Sequence, residues 1–254
     1  MTQEVPSPEA PAAPPAPALS PFAAVAGTFT RPGVTFEALV RRPTWWLPFG
    51  LAIVVVAASI WIATPKIDTE RSIREMFERR AARTGQSLSD QQIREIAARS
   101  DRGPGRATAI GAPTAGVILL LVALVLWGGV RAFGAEARFS QVLSIWTHAN
   151  LVNIAGGILS LPVVASLEDA SETQFGIQRV FKSNVGAFLP EDVPAFLGSL
   201  ASSIDVFSLA TLALLVVGLR RLPGISKGSA AAVPIVLWAL YVLAKGGLAA
   251  VFLG

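Results

Sequence analysis

The chain has 254 residues, of which 52% are hydrophobic and only 15% charged, and its mean hydropathy is +0.56; a soluble domain carries about 25% charge, so this is a membrane protein. With no cysteine and one histidine it has no disulfide framework, thiolate metal site, cysteine nucleophile or multi-histidine centre. The net charge of +4 and pI near 10.1 come from basic residues flanking apolar runs, a pattern of membrane topology rather than of nucleic-acid binding.

Residues 1 to 21 are a tract of Pro, Ala and Ser without apolar periodicity, expected to be a disordered tail. It lacks a basic n-region and an apolar h-region, so it does not read as a signal peptide. Residues 22 to 44 hold the short apolar clusters Phe22, Val25, Phe29 and Val34, Leu39, Val40, broken by Pro32 and Gly33. They predict interfacial segments, with a helix from near Thr35 in the headgroup plane and Arg41 and Arg42 on phosphates, or simply a packed turn before the membrane.

Five apolar spans follow, at about residues 45 to 64, 109 to 131, 141 to 166, 204 to 219 and 231 to 253. The fold class is therefore all-α, a polytopic membrane helical bundle with five transmembrane helices and its termini on opposite sides. Trp45 and Trp46 open the first span and Trp61 follows Trp45 by 16 residues, about 24 Å along a helix, so these indoles serve as anchors at the two interfaces.

Between the first two spans, residues 66 to 106 have helical spacing throughout and predict a soluble helical hairpin. Ile73, Met76 and Phe77 stripe its first arm, where Glu70 with Arg74 and Glu75 with Arg79 stand at i,i+4 in the favourable order. Thr84, Gly85 and Gln86 make the turn. Ser89 and Gln92 then form a capping box, with Leu88 and Ile93 as its staple and Ile93, Ile96 and Ala97 as the apolar face. Asp90 with Arg94 and Glu95 with Arg99 repeat the ion-pair spacing, so these charges read as a solvated face. The second polar loop, residues 167 to 203, carries Phe175, Ile177, Val180 and Phe181 and predicts short amphipathic helices resting on the bilayer or covering the bundle.

A cytoplasmic N-terminus puts Arg31, Arg41, Arg42, Arg131, Arg138, Arg220, Arg221 and Lys227 inside, as the positive-inside rule favours. The first loop opposes this with Lys66 and nine arginines, beside seven acidic residues. The orientation expected is N-terminus inside.

The third span is the least apolar. Gln141, Ser144 and His148 share one of its faces, and Asn150, Asn153 and Gly157 nearly the opposite one, which predicts interhelical hydrogen bonding rather than one polar path. Ser144 and His148 lack an oxyanion hole or an orienting partner, so they do not read as a hydrolytic dyad. Asp205 opens the fourth span and Lys245 lies inside the fifth, in the same half of the bilayer. Asp205 is read as a helix cap or as half of a structural pair, and Lys245 as snorkelling or meeting a carbonyl. No Walker motif, HExxH or pair of catalytic carboxylates occurs. No enzyme, no cofactor and no metal are expected.

The stretches PGVTFEALVRRPTWWLPFGL from Pro32, GAEARFSQVLSI from Gly134, IDVFSLATLALLVVGL from Ile204 and PGISKGSAAAVPIVLWAL from Pro223, in this order and with a long helical loop after the first span, resemble the bacterial form of the Ypt-interacting, or Yip-domain, proteins. The resemblance covers about residues 22 to 254. It implies a five-span, non-catalytic membrane protein with a cytoplasmic N-terminus, here in a bacterial inner membrane. Eukaryotic relatives contact Rab-type GTPases, but the DLYGP-like sequence of those relatives is absent and the only tyrosine is Tyr241, so that contact is not carried over. The expected partners are the lipid bilayer and a membrane protein or a second copy. The role expected is a scaffold that organises partners or shapes the bilayer; the alternative is a small transporter or accessory permease subunit using His148, Asn150, Asn153, Asp205 and Lys245.

Overall fold

The computed structural model describes residues 19–85, 88–101, 103–169, 183–190 and 193–253. The tail up to residue 18, Gln86 of the expected turn, and Phe175, Ile177, Val180 and Phe181 lie outside the described residues. Within them the chain is all-helical: α1 (Pro21–Thr30), α2 (Pro32–Arg41), α3 (Trp46–Ala63), α4 (Thr69–Thr84), α5 (Asp90–Ser100), α6 (Gly103–Ala132), α7 (Phe139–Ala149), α8 (Leu151–Ser166), α9 (Ala195–Ser203), α10 (Val206–Leu219) and α11 (Lys227–Leu253). Four stretches are long and apolar enough to cross a membrane, namely Trp46–Lys66, Gly103–Ala132, Phe139–Ser166 and Lys227–Val251, and Val206–Leu219 is a shorter apolar helix. The third of these is α7 and α8 run together. Its irregularity lies at Asn150, where the amide still donates to the Trp146 carbonyl at 2.9 Å and the carbonyl accepts from Ile154 at 3.1 Å.

The long helices keep broad apolar faces exposed, for example Val117, Ile118, Leu121, Leu124 and Val125 on α6, because lipid rather than a protein core is to cover them. Helix contacts use small residues: Gly116 of α6 faces Phe49 and Ile53 of α3, and Gly129 faces Val233 of α11.

At one end of the bundle α2 turns its Phe36, Leu39 and Val40 face into a buried cluster with Val142 and Ile145 of α7 and Leu215 and Leu219 of α10. The helix starts at Pro32, three residues before the expected Thr35, with proline in its first turn, where a missing amide costs nothing. Its inner face is therefore packed in the bundle, leaving Arg41 and Arg42 exposed at its end. Gly218 of α10 makes the packing close, since a Cβ there would stand 3.1 Å from the Phe36 ring and 2.5 Å from Ile145. The α6–α7 and α10–α11 turns dock on each other at the same end. There the Glu136 amide donates to the Pro223 carbonyl at 2.9 Å. Gly134 and Gly224 have φ of 89° and 77°, and a Cβ on Gly224 would meet the Gly134 carbonyl, so both the conformation and the space require glycine.

At the other end the Lys66 ammonium donates to the Ala165 and Leu167 carbonyls, each at 2.7 Å, satisfying acceptors that the end of α8 leaves open. Beyond it α4 and α5 pack through Ile73, Ile93 and Ala97, with Phe77, Leu88 and Ile96 around them. The capping box of Ser89 and Gln92 is formed in both directions. Met76 is 54% exposed and takes no part in that cluster. The ion pairs depart from the spacing expected. Glu70 does meet Arg74 at 3.2 Å, but Asp90 bonds Arg74 across the arms at 2.6 Å, and Glu75 meets Arg71 at 2.9 Å. The Arg79 side chain lies outside those described.

The hydrogen bond from Arg74 and the guanidinium charge beside it hold the Asp90 carboxyl below its usual range. A depressed carboxylate stabilises fully above its unfolded-state pKa and loses that contribution as pH falls through the lower folded value. Acidification below pH ~4 is thus expected to loosen α4 from α5. The protection factors of α5 amides, taken relative to intrinsic exchange at each pH, should fall there in the wild type and stay flatter in Asp90→Asn; equal pH dependence of the two would contradict the cross-arm pair.

Candidate functional site

The five intramembrane polar candidates fall in three places. On one face of α7 the Gln141 side-chain amide donates to the Val40 carbonyl at 2.8 Å and the Ser144 hydroxyl accepts from the Thr44 amide at 3.3 Å. This face therefore holds the link from α2 to α3. His148, one turn on, is fully buried. Its Nδ1 donates to the Ser144 carbonyl at 2.9 Å, so the ring engages the Ser144 backbone and not its hydroxyl. His148 Nε2 and Thr44 Oγ1 are buried and have no hydrogen-bond partner among the described residues.

Asn150 and Asn153 lie on the other face, as the 100° spacing requires. The Asn153 amide donates to Asn150 Oδ1 at 2.9 Å and to Thr211 Oγ1 of α10 at 3.1 Å. This bond between helices, in a region with no competing water, is expected to contribute about 0.5–2 kcal/mol. Thr211→Val should lower thermal stability in nanodiscs by that amount, and Asn153→Leu by no less; an unchanged melting profile in both would remove the bond from the account.

Asp205 and Lys245 do share one end of the bundle. Asp205, 1% exposed, caps α10: Oδ1 accepts from the Phe207 and Ser208 amides at 2.9 and 3.0 Å, and Oδ2 from the Ser208 hydroxyl. The capping expected from the sequence is the geometry found. The Lys245 ammonium donates to two hydroxyls of α9, Ser203 at 3.0 Å and Ser202 at 3.4 Å. Among the described residues no group of three or more His, Cys, Asp or Glu side chains is placed to hold a metal ion.

The residues expected as interfacial anchors sit at the bundle ends. Trp45 and Trp46 are exposed at the start of α3 and Trp61 at its end, and Arg41 pairs with Glu37 on the same helix. Glu37 also meets Arg221 from the α10–α11 turn at 3.7 Å. Arg131 stacks over Trp127 at 5.5 Å, while the Trp127 indole donates to the Ala137 carbonyl at 2.9 Å.

All four stretches that carry the family resemblance thus meet at this arginine-rich end, through Phe36, Ile145 and Gly218 and through Glu136 and Pro223. The Yip1 domain matches residues 26–247. The chain belongs to the Yip1 domain family. A similar curated protein is "Membrane protein YknW" of Bacillus subtilis (strain 168), 26% identical over 218 residues, covering 85% of this chain and 86% of the relative. No solved structure gives a significant match.

Within this Yip1 domain, sequence reasoning missed Phe36 with Gly218, Glu37 with Arg221, and Lys66. Some signal for each was present: a glycine inside an apolar helix, a lone acid among three arginines, and a lysine one turn past a span. None of these named its partner.

Proposed function

We propose that this Yip1 domain protein is a non-catalytic scaffold of a bacterial inner membrane, organising a partner protein or shaping the bilayer. It crosses the membrane five times, α10 being the fourth crossing, with its N-terminus and the arginine-rich end in the cytoplasm. The observation that supports this reading is where the intramembrane polar side chains are spent. Asn153 bonds Asn150 and Thr211, Asp205 caps its own helix, Lys245 bonds two serines, and Gln141 bonds the α2–α3 link. These contacts tie helix to helix, and buried polar groups satisfied in this way hold a bundle together rather than line a route through it. The eight basic residues at one end suit a cytoplasmic face.

Crosslinking in native membranes, followed by nanodisc purification and mass spectrometry, tests the reading. The full chain is compared with chains lacking residues 1 to 21 or 66 to 106. A stoichiometric partner lost with either deletion is the expected result; a clean homo-oligomer with no partner removes the adaptor role and leaves bilayer shaping. Because the chain has no cysteine, labelling of single-cysteine variants with an impermeant maleimide from either side checks the orientation. The alternative, a small transporter or accessory permease subunit, draws on one observation, the buried and unpartnered Nε2 of His148. It predicts that His148→Leu folds normally and abolishes flux.

A further inference from the structure

We propose that the outer segment leading into α10, residues 183–190 and 193–206, is embedded in the hydrocarbon of the leaflet opposite the arginine-rich end, where it contacts lipid acyl chains and completes the apolar thickness of the fourth crossing. The proposal rests on the five-crossing reading and adds a surface and its occupant to it.

Length is the first argument. The 14 residues of α10 rise about 21 Å, some 9 Å short of a hydrocarbon core of about 30 Å. One face of α10 is nevertheless open to lipid, through Val206, Leu209 and Ala213. Something must occupy the remaining depth above that face, or the bilayer must thin around it. The 27 residues of α11 are not short in this way. Lys245, where Ser202 and Ser203 meet it, stands 18 residues from the start of α11, about 27 Å along that helix. The α9–α10 junction therefore lies at membrane depth beside a helix that continues past it.

The second argument is the surface itself. The Val185 amide donates to the Ile204 carbonyl at 3.1 Å, in an antiparallel bridge between Asn184 and Asp205. This bond sets the turn at residues 185–188 beside the entrance to α10. The exposed side chains there are Val185, Phe188 at 81%, Leu189, Leu197 at 51% and Ile204, continuous with Val206 and Leu209 on α10. Among the described residues of the two stretches the one charged side chain, Asp205, is buried; Glu191 and Asp192, between the stretches, lie outside the described residues. A water-facing loop would carry its polar groups outward and its apolar groups inward. The described residues do the reverse.

The third argument is the backbone. Irregular chain at membrane depth persists only where its polar groups are satisfied within the protein. The Asn184 side chain accepts from the Ala187 amide at 3.0 Å, Leu189 donates to Gly186 and Ile204 to Ala201, and Asp205 takes the first amides of α10. α9 is seated on α11, with Phe196 and Leu200 against Gly246. The segment is thus a lipid-facing wedge in one leaflet, bonded within the protein at its turn and at the entry to α10, while Ser183 Oγ and Ser199 Oγ are buried without a hydrogen-bond partner among the described residues. It adds cross-section to that leaflet alone, a physical route to bilayer shaping.

Spin labels on single cysteines of the full chain in phosphatidylglycerol–phosphatidylcholine vesicles test this. Phe188→Cys, Leu197→Cys and Ile204→Cys are compared with Leu209→Cys in α10 and Met76→Cys in α4. The expected ratio of oxygen to nickel-chelate accessibility at residues 188, 197 and 204 is within about twofold of that at 209 and about tenfold above that at 76. Nickel accessibility at all three sites like that at 76 overturns the wedge, and so does exclusion of both reagents, which would mean that a second protein surface covers it. If 209 itself is nickel-accessible, the five-crossing reading fails; if 209 is embedded and the other three are not, the wedge alone fails. Three exposed sites keep the test decisive should one variant fail to fold.

Discussion

Phe36→Ala is expected to destabilise the protein by about 3–5 kcal/mol, the loss typical of a fully buried aromatic ring that leaves a cavity. Phe36 is fully buried where α2, α7 and α10 converge, and the positions that face it cannot collapse inward because their backbones belong to the bundle. The measurement is thermal unfolding in nanodiscs, with the fraction recovered as a monodisperse peak as a second readout. Gly218→Leu attacks the same contact from the other side. Its Cβ would already press on Ile145 and on the Phe36 ring, and overpacking of this kind costs about 1–3 kcal/mol. The two substitutions should couple. With Phe36→Ala in place, Gly218→Leu is expected to cost less than it does alone, because the added side chain enters space the ring has left. Strict additivity would show that the two positions do not share one packing site.

Asp205→Ala is expected to cost about 2–4 kcal/mol, more than loss of a surface cap, since it leaves two amides and one hydroxyl without an acceptor in a dry environment. The wild-type carboxylate takes all three. Asp205→Ser, which can still cap a helix, should recover about half of the loss. The readout is unfolding in nanodiscs together with amide exchange at the start of α10. A protein that carried an ion through this point would lose flux in both variants at unchanged stability, so the pattern also separates a structural carboxylate from a conducting one.

How much of this was legible beforehand depends on the range of the interaction. The capping box at Ser89 and Gln92, the cap at Asp205 and the division of α7–α8 into a Gln141–Ser144–His148 face and an Asn150–Asn153 face are local, set by 3.6-residue geometry and side-chain reach, and each reads directly from spacing. The ion pairs of α4 and α5 show the limit. Asp90 has Arg94 at the right spacing on its own helix, yet it bonds Arg74 on the other, because the packing of Ile73 against Ile93 brings that guanidinium closer. Periodicity places a residue on a face and says nothing of what will stand opposite.

The same division runs through the whole molecule. The sequence by itself determined that the chain is an all-helical membrane protein, where its apolar helices lie and which ends of them are basic, because partition into lipid follows from composition summed over about 20 residues. Its stretches around Pro32, Gly134, Ile204 and Pro223 also carried the family resemblance. Only the tertiary structure decided that α2 is packed into the bundle through Phe36 against Gly218. It likewise decided that Lys66 closes α8, that Lys245 bonds α9, and that the segment before α10 turns its apolar side chains outward. The first three are meetings of residues tens to more than a hundred positions apart. In a chain of apolar helices many such pairings satisfy the hydropathy pattern equally well, and steric fit at a few small residues selects among them.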